Sequence, residues 1–247
     1  MIILNAYRSQ KREPFMARVS MVRMSCFLVL SVFAILPLGA QRAEIRRVHD
    51  ALDVFQAFTS VPETELPTAL LRHLSGIAIL PDVKKVGFII AGQRGSGVLL
   101  VKGEDGTWSR PLFLTLTGGS VGFQAGIQSA DIILFFRTRD SVDRTLRGKF
   151  TLGVDASLSA GSVGRDAGAV TDQDLKAEIY SYARSRGIFA GLSAQGASLD
   201  VDYEANSDYY GKQIANAQAV LSVSDLPDPA SGVELRTAIS QKLEKIH

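Results

Sequence analysis

Apolar positions along the chain change their period twice, and the changes divide it into helical ends and a strand-rich middle. In residues 43–58 (AEIRRVHDALDVFQAF), Ile45, Val48, Leu52 and Phe55 recur at spacings of three and four, with Ala51 and Phe58 beside them. Glu44, Arg46, Arg47, Asp50 and Asp53 take the other side, so the segment predicts an amphipathic helix. Pro67 suits the first turn of a short helix over Thr68–Leu74, where the missing N–H costs no hydrogen bond.

From Gly76 the period shortens. Runs rich in Val, Ile, Leu and Phe (Ile77–Leu80, Val86–Ala91, Val98–Lys102, Leu112–Leu116, Ile132–Arg137) alternate with glycine-rich turns and predict strands. Lys102–Gly106 reads as a hairpin turn before Trp108. Ser141–Leu146 predicts a helical turn and Thr171–Lys176 another. Glu178–Ala183 and Ile188–Leu199 read as strands, and Asp202–Tyr210 and Ile214–Val220 as helices. Beyond Leu226-Pro-Asp-Pro229, Ser231-Gly-Val-Glu234 has the form of a capping box. Leu235, Ala238, Ile239, Leu243 and Ile246 follow it at helical spacing. Eighteen of the 22 glycines fall between Gly87 and Gly196. That density suits bulges, corners and close backbone approach rather than flat strands. The expected fold class is α+β: a glycine-rich, strongly curved antiparallel β-sheet or partly closed barrel, flanked by N- and C-terminal helices.

Composition refines this picture at the N-terminus. The whole chain has a formal net charge of +2 over 247 residues. Residues 1–40 hold Arg8, Lys11, Arg12, Arg18 and Arg23 against Glu13, so the remainder is slightly acidic. A body so near neutrality lacks the basic stripe of a general nucleic-acid binder. Cys26–Leu36 is an uncharged apolar run preceded by Arg18 and Arg23, broken by Pro37 and followed by Gly39-Ala40. These are the parts of an export signal, too short to span a bilayer comfortably. An uncleaved N-terminal anchor is the alternative, and Met16, Met21 and Met24 are alternative starts. The expected division is 1–40 as signal peptide, 41–224 as the folded domain, and 225–247 as a linker and C-terminal amphipathic helix. The expected location is the periplasm or cell surface.

The chemistry of catalysis is sparse. Cys26 is the one cysteine and lies in the leader; the histidines are His49, His73 and His247, without metal-ligand spacing. No Gly-x-Ser-x-Gly elbow or phosphate loop occurs, and Gly95-Ser-Gly97 lacks the third glycine of a dinucleotide fingerprint. Asp172-Gln-Asp174 lacks the rest of a calcium loop. The expectation is a protein with no catalytic residues, no metal and no cofactor. A hydrolase would require Asp155, Ser157 and Ser159 to gather with a histidine.

Several segments, in order, resemble the SYLF family of lipid-binding domains over about residues 43 to 214. Leu74-Ser-Gly-Ile-Ala-Ile-Leu-Pro81 matches the family's first strand, followed by Val86-Gly-Phe88, Arg94-Gly-Ser-Gly-Val98 and Trp108-Ser-x-Pro111. Gly118–Gly126, Leu152–Arg165, Tyr180-Ser181, Gly187–Gly191 and Asn206-x-x-Tyr-Tyr-Gly211 continue the match. Ser162, Gln195 and Arg186 depart from the usual proline, glutamate and lysine, and the terminal helix lies beyond the pattern. The resemblance implies a membrane lipid as partner, with anionic phospholipid as the expected target, bound through an N-terminal amphipathic helix. Here that helix carries Arg46 and Arg47. The opposing reading is that the helix covers an open face of the sheet. Lys84, Lys85 and Arg94 in adjacent turns, with Arg147, Lys149, Arg165, Arg184 and Arg186, are further basic groups. The lipid-binding candidates are Arg46, Arg47, Lys84, Lys85, Arg165 and Arg186. The alternative function is an envelope structural or protein-interaction module that meets a protein partner through the C-terminal helix.

Overall fold

A computed structural model describes residues 36–60, 68–87, 90–121, 126–162, 176–185, 194–222 and 225–245. The chain divides into compact units Met1–Gly39 and Ala40–His247. Its described elements are helices α1 (Leu36–Thr59, which begins in the first unit) and α2 (Thr68–Arg72), then strands β1 (Gly76–Gly87), β2 (Ile90–Val101), β3 (Leu112–Val121) and β4 (Gly126–Phe136). Next come α3 (Arg139–Leu146), β5 (Phe150–Thr151), β6 (Leu158–Ser162), β7 (Ile179–Ser185) and β8 (Ser198–Val201). The chain closes with α4 (Tyr203–Tyr210), α5 (Ala217–Ser222) and α6 (Ala230–Glu244).

The strands form one strongly curled sheet in the order β5-β8-β3-β2-β1-β4-β7-β6. The α+β expectation holds. Every described pairing is antiparallel except β6 with β7, which is parallel. Both faces are buried over the middle of the sheet, so its strands read as near-continuous apolar runs. One face carries Ile77, Ile79, Val98, Leu100, Phe113, Ile133 and Phe135, all fully buried. The Tyr209 ring of α4 lies 5.0 Å from Phe113, and the Arg47 guanidinium of α1 lies over the same ring at 6.0 Å. The other face carries Ala78, Leu80, Leu99, Leu112, Leu134 and Phe136, and α3 packs there through Val142 beside Gly76.

The curl has a local cause. The register of β1 slips once against both neighbours around Pro81 and Asp82, and Asp82 has a φ of +51°. Such a bulge bends and twists a strand. The β2 backbone closes on the bend: a Cβ on Gly97 would lie 2.1 Å from the Ile79 carbonyl oxygen, so only glycine fits.

Several local expectations change. Val86 and Lys84 belong to β1 itself, which continues through the bulge instead of stopping at Pro81. Of the strand expected over Ile188–Leu199, residues 188–193 lie outside the described residues; Ala194–Ala197 form a turn with Gly196 at a φ of +75°, and β8 begins at Ser198. The capping box before α6 is not used: Pro229 is the N-cap and makes no side-chain hydrogen bond. Ser231 instead shares a 2.9 Å hydrogen bond with the buried Tyr209 hydroxyl. Thr171–Lys176 falls almost wholly outside the described residues.

Candidate anionic-surface site

The β2–β3 pair keeps an unbroken register from Ile90↔Val121 to Leu99↔Leu112, which allows one face to be followed along its length. Val98 and Phe113 are buried beneath the helices. Two residues on, Ser96 and Thr115 are half-buried; two further, Arg94 and Thr117 are exposed, and Gly92 and Gly119 follow, also exposed. Among the described residues, the helices therefore cover only the first half of this face. Beyond them β1 contributes Lys84 opposite Arg94, and Val86 opposite Gly92. The Lys84 side chain is 63% exposed and Val86 is 55% exposed. Gly92 has open space where a Cβ would stand, so the floor around Val86 is bare backbone.

Lys84 and Arg94 are like charges at directly opposed positions, an arrangement that costs stability in an antiparallel pair. Asp82 offsets part of the cost, with its carboxylate 3.4 Å from the Lys84 ammonium. Asp82 is itself held by the bulge: its N–H donates to Asp131 at 3.0 Å and its carboxylate accepts from Ser129. On β7, Arg184 is exposed opposite Asp131, an opposite-charge pair on the same face. Lys85 points to the other face, opposite Gln93 and Gln128, and is half-buried. The expectation that Lys84, Lys85 and Arg94 sit in turns is thus corrected. All three are on strands, and the cross-strand register joins Lys84 to Arg94 while separating Lys85.

The two arginines of α1 also part company. Arg46 is exposed. Arg47 lies 3.0 Å from Glu44 and 3.8 Å from Asp202, stacked over Phe113. Glu44 is only 6% exposed. Burial pushes its carboxyl above the usual range; Arg47 opposes that shift, and Asp202 and Asp208 add to it. Asp202 also caps α4 by accepting from the Ala205 N–H. Arg47 therefore ties α1 to the start of α4, while Val48, Ala51, Phe55 and Phe58 are buried in the core. The apolar side of α1 covers the sheet, and Arg46 stays exposed on its outer side. Arg165 and Arg186 lie outside the described residues.

The Asn206-x-x-Tyr-Tyr-Gly211 motif is structural. Buried Asn206 accepts from the Phe113 N–H at 3.0 Å and donates to the Phe113 carbonyl at 3.1 Å. Tyr210 donates to the Pro111 carbonyl at 2.6 Å, and Gly211 closes α4 with a φ of +61°. The motif is visible in the sequence, but its hold on β3 exists only in the folded chain.

Asp155 and Ser157 gather around Arg144 rather than a histidine. Arg144 makes two 2.9 Å bonds to Glu178, and Ser157 accepts from the Glu178 N–H at 2.9 Å. His49 faces Glu234 at 3.8 Å. Among the described residues no group of three or more His, Cys, Asp or Glu converges as a metal site, and no helix is long and apolar enough to cross a membrane.

Among the described residues, the curled α+β sheet is roofed by helices over half of one face and leaves Lys84, Val86 and Arg94 exposed over the rest. Residues 117–242 match the Ysc84 family, described as "Las17-binding protein actin regulator". The chain belongs to this family, the SYLF family of the sequence resemblance. It is similar to LAS seventeen-binding protein 3 of Saccharomyces cerevisiae, 35% identical over 168 residues, which is 67% of this chain and 36% of the yeast protein. It is also similar to the SH3 domain-containing YSC84-like protein 1 of Rattus norvegicus and of Homo sapiens. Each is 30% identical over 207 residues, 83% of this chain and 60% of the relative. The chain thus spans less than two thirds of these curated relatives. Because the family match runs to residue 242, α6 lies within the family pattern and not beyond it.

Proposed function

We propose that this protein is a non-enzymatic module that docks on anionic phospholipid through the exposed half of the sheet face bearing Lys84, Val86 and Arg94. The observation that carries this reading is the opposed pair of cations on bare strands, beside an exposed valine. A like-charge pair that weakens the fold is compensated when both charges meet an anionic surface, and Val86 then contacts the headgroup boundary. The leader-like segment before residue 41 supports an exported location, where an ordinary anionic phospholipid is the available target. Cell fractionation with N-terminal sequencing tests that location, and a cytoplasmic chain retaining its first residues would contradict it.

Each cation near an anionic surface contributes about 1 kcal/mol. Lys84→Gln with Arg94→Gln should then weaken binding to phosphatidylglycerol-containing vesicles by about thirtyfold. Co-sedimentation of the full chain measures it, with phosphatidylcholine vesicles and high salt as controls.

The names of the yeast relatives favour a second reading, a protein-interaction module. Here the exposed feature is α6, which runs alongside α1 in the same direction. Val233 is 40% exposed, and a groove of about 300 Å³ lies between Phe55–Ser60 and Ala238–Lys245. Truncating 229–247 is a poor test, because Leu235, Ile239 and Leu243 are part of the core. Val233→Asp changes the surface alone. Loss of a protein partner with vesicle binding intact would favour this reading.

A further inference from the structure

A second concentration of cations sits at the opposite end of the sheet. The start of β1 and the end of β2 meet there, at Gly76↔Val101, and α3 follows β4. Between α3 and the start of α5 is a notch of about 450 Å³ lined by Arg139, Asp143, Leu146, Arg147, Asn216 and Gln218. Arg139 and Arg147 are eight residues apart, on one side of the helix, and Asp143 lies midway between them.

Asp143 holds each of the two guanidinium groups by its Nε. Arg139 Nε donates to its carboxylate at 3.0 Å, and Arg147 Nε donates to its backbone carbonyl at 3.3 Å. Arg139 is braced again through Nη1 on the Lys102 carbonyl at 3.4 Å. Both η nitrogens of Arg147 and Nη2 of Arg139 have no hydrogen-bond or ion-pair partner among the described residues. Across the notch, the Asn216 side-chain oxygen accepts from the Gln218 N–H at 2.8 Å. That bond fixes the carboxamide and leaves its NH₂ as a donor. The notch therefore offers two braced guanidinium edges and an amide donor around one carboxylate, a net charge of +1.

We propose that this notch binds a phosphate group. A guanidinium is planar, always charged and forked to match phosphate oxygens. Two of them with Nε already engaged present their η edges at little further entropic cost. The neighbouring Arg144 is not part of the site, because Asp140 and Glu178 both pair with it at 2.9 Å. This inference does not rest on the Lys84–Arg94 surface, and the two fail independently.

The test is calorimetric titration of the full chain with inorganic phosphate and with sn-glycerol 3-phosphate. Binding to phosphatidic acid vesicles is measured in the Lys84→Gln/Arg94→Gln background. The expected result is saturable phosphate binding that Arg147→Gln weakens about tenfold and Lys84→Gln/Arg94→Gln leaves unchanged. Asn216→Asp keeps the oxygen that caps Gln218 and places a negative charge in the notch, without touching α3. It should abolish binding while the melting temperature stays within the wild-type range. Preference for glycerol 3-phosphate with residual vesicle binding identifies a lipid headgroup. Equal binding of inorganic phosphate with none to vesicles identifies a free phosphate; both support the site. No saturable binding of either compound, or binding that Arg147→Gln and Asn216→Asp leave intact, overturns it.

Discussion

Two basic pairs lie over the same face of the same sheet, and their fates differ. Arg46-Arg47 is carried by α1 above the apolar half, whereas Lys84 and Arg94 stand on the bare strands of the other half. Arg47 is consumed by the fold, between Glu44, Asp202 and the Phe113 ring. Lys84 and Arg94 oppose each other, with Asp82 as the ion-pair partner of Lys84. A basic pair on an amphipathic helix looks like the better membrane contact on sequence grounds. In the folded chain the helix has already spent its apolar face on the core, and the strand pair retains unspent charge.

This contrast can be broken experimentally at several strengths. The largest effect is expected from Phe55→Ala, which removes a fully buried ring of α1. It should cost about 3–5 kcal/mol of stability, measured by chemical denaturation, and leave vesicle affinity per folded molecule unchanged. Next is the Lys84→Gln/Arg94→Gln pair, worth about 2 kcal/mol in vesicle binding. Its melting temperature should hold or rise slightly, because a like-charge contact is relieved. Arg47→Ala should follow, at about 1–2 kcal/mol of stability, by leaving the buried Glu44 carboxylate without its cation.

The smallest effect concerns pH. The folded-state pKa of Glu44 is raised, chiefly by burial. A raised acid contributes stability that is fully present below its unfolded pKa and lost as pH rises through the folded value. Glu44→Gln should therefore flatten the stability profile above the usual carboxylate range. It should gain relative to wild type at neutral pH and lose that gain in acid. Thermal melts across pH measure this, and a gain confined to acid would contradict the assignment.

Much of the fold was legible because it follows from period. The spacing of Ile45, Val48, Leu52 and Phe55 gave α1, and Asp202 before Tyr203–Tyr210 marked the start of α4. What stayed hidden depends on contacts distant in sequence. Nothing local to Ser231 indicates that its hydroxyl serves Tyr209 instead of capping α6. The parallel β6–β7 edge is likewise invisible to strand patterning, which does not report direction. Basic residues could be seen, but whether a cation is free depends on what faces it. Arg47 finds Asp202 only when α1 meets α4. Lys84 meets Arg94 only because the bulge at Asp82 shifts β1 by one residue.

The most direct measurement is vesicle co-sedimentation of three full-length chains side by side: wild type, Arg46→Gln, and Lys84→Gln/Arg94→Gln. Phosphatidylglycerol-containing vesicles at low and high salt give the comparison. Salt-sensitive binding is expected of wild type and Arg46→Gln alike, with an about thirtyfold loss in the strand pair. A loss confined to Arg46→Gln, with the strand variant binding as wild type, would contradict it and return the membrane contact to α1.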